Sequence, residues 1–161
     1  MAKGTKKKTN AMRLMDAQGI TYHTYMYEKL DGNIDGISVA KKIGKAPEQV
    51  FKTLVACGTS KEQYVFVIPV VEELDLKKTA KVSGEKKIDM IPSKDLYRHT
   101  GYVRGGCSPV GMKKRYQTFI AEQAKLLPTI IVSAGKIGLQ VEVAVNDLAT
   151  ITNARFADVI K

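Results

Sequence analysis

Tryptophan is absent from this 161-residue chain, and cysteine and histidine occur only twice each. Cys57 and Cys107 lie far apart with no Cys-x-x-Cys pair, and His23 and His99 stand without metal-ligand spacing. So few soft ligands cannot assemble a structural zinc centre, and they do not make a disulfide framework. No metal site is expected. Apolar runs are short as well. None approaches the roughly 18 residues that a membrane-crossing helix needs. Acidic residues are the scarcer charge, 16 against 26 Lys and Arg, which leaves a net charge of +10. That balance favours a polyanion as partner, beyond good solubility alone. Four of the positive charges fall in Met1-Ala2-Lys3-Gly4-Thr5-Lys6-Lys7-Lys8, and no apolar stretch follows them. The segment therefore does not read as a secretory signal, and the expected location is the cytoplasm. It also lacks the interleaved Trp, Phe or Leu that would insert a basic helix into a membrane.

What is present suits one α+β domain over residues 9–161 behind a flexible basic tail, residues 1–8. The spacing of Ala11, Met12 and Met15 behind Thr9 predicts a short amphipathic helix. Ile20 to Tyr27 alternates as a strand, with Thr21, His23, Tyr25 and Tyr27 on one face. Tyr22, Tyr25 and Tyr27 suit strand packing or base stacking. Leu30 to Ile37 reads as a loop, after which Ser38 is expected to cap a helix closed by Gly44. Residues 50–57 and 63–71 predict a hairpin, and Asp75 a helix cap with its stop at Gly84. Strands are expected over 117–121, 129–133 and 139–145, with a last helix from Asn146 or Asp147. Strands and helices do not alternate strictly, so a mixed, barrel-like sheet with flanking helices is expected.

Three stretches could carry chemistry. Lys52 and Thr53 sit inside the apolar strand Val50-Phe51-Lys52-Thr53-Leu54-Val55-Ala56-Cys57. A buried unpaired ammonium is costly, so Lys52 should meet an anion, a carboxylate or a wet pocket, unless it snorkels from an edge strand. The second stretch, Gly101 to Gly111, holds four glycines with Arg104 inside and Lys113-Lys114-Arg115 behind it. Such a loop lets backbone approach a ligand, and Gly105 and Gly106 could offer N–H groups to an oxyanion. It is neither a phosphate-binding Walker loop nor a dinucleotide fingerprint. Cys107 within it has no base beside it and suits packing better than nucleophilic attack. The third stretch runs from Val132-Ser133-Ala134-Gly135 through Gly138 to Val143. It places Gln140 and Glu142 on one face, with Glu142 expected to pair with Lys52.

Together these stretches resemble the YbaK family, free-standing relatives of the editing insertion domain of bacterial prolyl-tRNA synthetase. The matching segments are Gln49 to Leu54, Leu74 to Lys78, the Gly101 to Gly111 loop with Lys113-Lys114-Arg115, Val132 to Gly135, Gly138 to Glu142, and Phe156-Ala157-Asp158. The resemblance implies a deacylase acting on the acceptor end of aminoacyl-tRNA, clearing tRNA-Pro mischarged with cysteine. Prolyl-tRNA synthetase is a candidate partner. It further implies catalysis without metal, cofactor or protein nucleophile, the substrate thiol itself attacking the ester. By the same resemblance the essential lysine is Lys52 with Thr53 beside it, the strand tyrosine Tyr27, the loop glycine Gly105 and the turn serine Ser133. Gly106, Ser108 and Gln140 join Thr53 and Ser133 as expected substrate contacts. Members of the family carry an aspartate where this chain has Gln140 and an aliphatic residue where it has Cys107. Those departures leave open a deacylase for alanine or another small residue. A non-catalytic RNA-binding or regulatory module is the reading from a different class.

Overall fold

A computed structural model describes residues 8–161. The expected tail therefore lies, except for Lys8, outside the described residues, and Lys8 itself pairs with the Asp16 carboxylate. The helices are α1 (Asn10–Ala17), α2 (Gly36–Ile43), α3 (Leu76–Ser83), α4 (Leu96–Thr100) and α5 (Val145–Thr152). The strands are β1 (Tyr22–Met26), β2 (Phe51–Gly58), β3 (Gln63–Pro69), β4 (Ile88–Met90), β5 (Gln117–Ala121), β6 (Thr129–Lys136), β7 (Leu139–Ala144) and β8 (Arg155–Ala157).

Local chemistry sets most of these limits. The Thr9 hydroxyl accepts from Met12 N to start α1, which buries Ala11, Met12 and Met15. Asp75 accepts from Lys77 N and Lys78 N at the start of α3, and Gly84 closes it in the left-handed conformation. The cap of α2 is Asp35, not Ser38: the aspartate accepts from Ser38 N at 3.1 Å and from its hydroxyl at 2.6 Å. Both residues fit the capping pattern, but Asp35 holds the extended backbone a cap requires, so the helix starts two residues before Ser38. Likewise α5 begins at Val145, ahead of Asn146 and Asp147, with no side-chain cap.

The strands form two sheets, one ordered β1-β7-β6 and antiparallel, the other ordered β4-β2-β3-β5-β8 and mixed. A Val50–Ile131 bridge and the packing of β2 against β6 bring the sheets together, and no closed barrel is found among the described residues. At the centre lies β3, whose residues Tyr64 to Ile68 are buried, with Phe66 stacked on Phe119 at 5.7 Å between ring centroids. Its near-continuous apolar run follows from having strands on both edges and layers on both faces.

One asymmetry positions the site. β2 pairs with β3 from Phe51↔Pro69 to Cys57↔Gln63, as the hairpin reading expects, but with β4 only over Ala56–Gly58. The first half of β2, which carries Lys52 and Thr53, thus keeps one sheet edge free.

Candidate active site

That free edge forms one wall of a cavity of about 750 Å³, to which Lys52 and Thr53 contribute directly. Opposite stand Ser133 and Gln140, partners across the β6–β7 ladder. Arg104, Gly105 and Cys107 come from the glycine loop, and the start of α2 with the chain before it closes another side. Lys52 and Arg104 make no ion pair among the described residues, and the one carboxylate of the lining, Asp35, is engaged by Ser38. The Ser38 hydroxyl, then its N–H, holds the Asp35 carboxyl below the usual carboxylate range. The cavity is therefore cationic and suits an anionic ligand.

Several uncommitted polar groups line it. Thr53 Oγ1 is buried without a hydrogen-bond partner. The Gln140 side chain, only 6% exposed, makes no hydrogen bond among the described residues. Ser133 Oγ accepts from Gly135 N at 3.1 Å, so its hydroxyl hydrogen points elsewhere. Burial pushes the Cys107 thiol up to about 12, keeping it protonated at neutral pH.

The glycine loop reaches the cavity because it is pinned from behind. Gly135, at φ +101°, leaves room for the Tyr102 ring, whose hydroxyl donates to Val110 O at 2.6 Å. Gly106 lies so close to the β6–β7 turn that a Cβ there would stand 2.9 Å from Ile137 N. The N–H groups of Gly105 and Cys107 have no protein acceptor among the described residues.

Two expectations need correction, and two of the expected site residues fall outside the cavity lining. The Gly106 N–H is taken by Val103 O at 2.9 Å, which closes the loop turn, so it has no donor left for an oxyanion. Ser108 does not line the cavity: it is 1% exposed, and its Oγ accepts from Val110 N. Tyr27 follows β1 and is also outside the lining; its hydroxyl is buried without a partner. Glu142 does not meet Lys52. It accepts from Tyr25 Oη and Thr129 Oγ1 at 2.6 Å each and from Gln49 Nε2 at 3.2 Å. Two residues along a strand is about 7 Å. That places Glu142 beyond Gln140, under the Pro47–Gln49 turn.

Among the lining residues that the sequence reading left out of the site are Gly32, Ile34, Asp35, Gly36, Ile37 and Val39. Their signal was the Asp35-Gly36-Ile37-Ser38 capping pattern, which marks a helix start but not what that start faces.

Comparison with known proteins gives the family and the fold. The sequence pattern of the aminoacyl-tRNA editing domain matches residues 35–151, from the α2 cap to α5 and across every cavity residue but Gly32 and Ile34. The chain belongs to that family. It is 46% identical over 157 residues to an Enterococcus faecalis protein named "Putative Cys-tRNA(Pro)/Cys-tRNA(Cys) deacylase EbsC", covering 98% of this chain and 96% of that one. The fold matches a crystal structure titled "putative trans-editing enzyme for prolyl tRNA synthetase", with TM-score 0.84, 20% identity, and 97% and 99% of the two chains covered. It also matches hypothetical protein APE2540, with TM-score 0.87, 20% identity, and 95% and 100% covered. The YbaK resemblance thus stands, and this editing-domain protein is an aminoacyl-tRNA deacylase.

Proposed function

We propose that the cavity receives the 3′ end of tRNA-Pro carrying cysteine in error, and that the substrate thiol breaks its own ester. The observation that carries this is the makeup of the lining. Cations for an RNA terminus stand there beside a Cys107 thiol kept protonated, with no histidine to activate Ser133 or Thr53. A nucleophile supplied by the cargo fits such a site.

In this reading Lys52 and Arg104 hold phosphate and ribose oxygens of the terminal adenosine and fix the ester. The cysteine Sγ attacks the carbonyl carbon and forms the C–S bond. The oxyanion is met by the free N–H groups of Gly105 and Cys107, where one lost donor typically costs about 10²–10³ in rate. The ester C–O bond then breaks, the ribose oxygen keeps the electron pair and takes the thiol's proton, and water opens the resulting cyclic thioester. Gln140, which cannot act as a base, serves as a hydrogen-bonding contact, alongside Thr53 and Ser133. Prolyl-tRNA synthetase is the partner this reading names, since the solved relative is described as trans-editing for it.

The test is deacylation of tRNAs carrying cysteine, serine or alanine by the wild-type protein and by Lys52→Ala. Cysteine should be released far faster than serine, whose hydroxyl is a poorer nucleophile, and Lys52→Ala should abolish the reaction. Equal rates on alanine would move the activity to small residues at large and remove the thiol from the mechanism.

A further inference from the structure

A second cavity, of about 510 Å³, lies between the C-terminal ends of α1 and α5 and the segment Pro109–Thr118. We propose that it is a second RNA site, which takes backbone phosphates of the same tRNA beyond its aminoacylated end. This rests on the reading above for the identity of the RNA, but on its own residues for the site.

Lys113, Lys114 and Arg115 line the cavity, and no carboxylate does. All three are exposed, and Lys114 and Arg115 make no ion pair or side-chain hydrogen bond among the described residues. Lys113 lies over the Tyr97 ring at 5.4 Å, which orients its stem but does not neutralise its charge. The backbone under these cations is held at both ends. Lys113 N donates to Thr100 O at 3.0 Å, and the Tyr116 hydroxyl donates to His99 O at 2.6 Å. Fixed backbone with free cations lowers the ordering cost of an anionic partner.

Capping of the two helices is the competing explanation, since their C-terminal ends each carry about half a negative charge. Caps would donate to the last carbonyls of α1 or α5. Neither Lys114 nor Arg115 does so, and Lys113 reaches only Arg98 O, at 3.5 Å. Three full charges also outweigh two half charges.

Continuity points to RNA as the occupant. The loop that places Arg104, Gly105 and Cys107 in the first cavity runs on into the second without a break. Five residues separate Cys107 from Lys113, a span of at most about 22 Å. A polyanion whose end enters the first cavity therefore passes within reach of the second.

The experiment compares the wild-type protein with Lys114→Ala/Arg115→Ala, and with Lys81→Ala/Lys86→Ala, exposed residues outside both cavities, as a control of equal charge. Cysteinyl-tRNA-Pro and its cysteinylated 3′-terminal trinucleotide serve as substrates, and fluorescence anisotropy follows uncharged tRNA as a function of salt. We expect KM for the full tRNA to rise at least tenfold with kcat unchanged. The salt slope of binding should fall by about one to two. Activity on the trinucleotide should stay within twofold, and the control should behave as wild type. Unchanged KM and slope, or a loss shared by the control, would overturn the site. Equal loss on both substrates would overturn it too. If no substrate is cleaved at all, the deacylase reading fails, while the anisotropy result still decides whether Lys114 and Arg115 bind RNA. An acidic peptide or anionic vesicle that displaces bound tRNA no better from wild type than from the variant is the expected outcome; preferential displacement would reassign the site.

Discussion

The Tyr25 hydroxyl donates a 2.6 Å hydrogen bond to Glu142, across the β1–β7 ladder and away from the cavity. With Thr129 and Gln49 it makes Glu142 a junction of four elements, tying the turn before β2 to the three-stranded sheet. The Thr129 hydroxyl first, then Tyr25, holds the Glu142 carboxyl below its usual value of 4.5. A carboxylate whose folded value is depressed contributes stability that is complete above its unfolded value and is lost as pH falls through the folded one. Glu142→Gln keeps the shape but sets an NH₂ donor against Thr129 or Gln49. With the side chain only 14% exposed, the substitution should cost on the order of 1–2 kcal/mol at neutral pH. Denaturant unfolding should show the gap between variant and wild type closing as pH drops below about 4.5. A gap independent of pH would mean that the charge contributes nothing.

Cys107 lines the first cavity, yet burial pushes its thiol up to about 12. At pH 7.5 almost none is thiolate, so iodoacetamide should modify it only when the chain is unfolded, as peptide mass mapping would read. Cys107→Val keeps a small apolar surface at that wall and should hold deacylation within about threefold, since no nucleophile is lost. A fall of a hundredfold or more would make this thiol a reactant.

The legibility of the sequence differed by element. Lys52 stood out because a lysine in an apolar strand conflicts with its surroundings, and the structure places it on a free sheet edge at a cavity. Asp75 and Gly84 were readable because caps are local chemistry. Strands β4 and β8, three residues each, carry too few positions to show a period. Gly106 and Ser108 lie next to cavity residues in sequence, but the loop turns their polar groups onto its own backbone, and only tertiary contacts decide that. Glu142 failed for a related reason. Shared strand face with Gln140 says nothing about which neighbouring element packs over each.

Gly106 should be the least replaceable glycine of the loop. A Cβ there would meet Ile137 N at 2.9 Å and Lys136 C at 3.2 Å, both backbone atoms with no flexible end to yield. Gly106→Ala must separate the loop from the β6–β7 turn, at a cost of about 1–3 kcal/mol. That shift moves Arg104, Gly105 and Cys107 at one wall relative to Ser133 and Gln140 at the other. Deacylation should therefore fall by more than a tenfold even at temperatures where circular dichroism shows the variant folded. A variant of wild-type activity would separate the loop position from catalysis.

Lys52 offers the sharpest separation of stability from function. It has no ion-pair partner among the described residues, so its removal leaves no orphaned carboxylate. Lys52→Met keeps the apolar stem against β2 and should change unfolding free energy by less than about 0.5 kcal/mol. If Lys52 fixes the RNA terminus as proposed, deacylation should nevertheless drop by about two orders of magnitude. How the drop divides is informative. A cation that holds phosphate equally in ground and transition states raises KM alone, whereas one that meets charge developing on the ester lowers kcat. Its place in the same cavity as the unbonded N–H of Gly105 favours a fall in both. Lys52→Arg restores the charge on a planar, longer group and should recover binding more than turnover, since the fork cannot occupy the position of an ammonium. Full turnover by Lys52→Met would reduce Lys52 to a solvated edge residue and leave the chemistry to the loop.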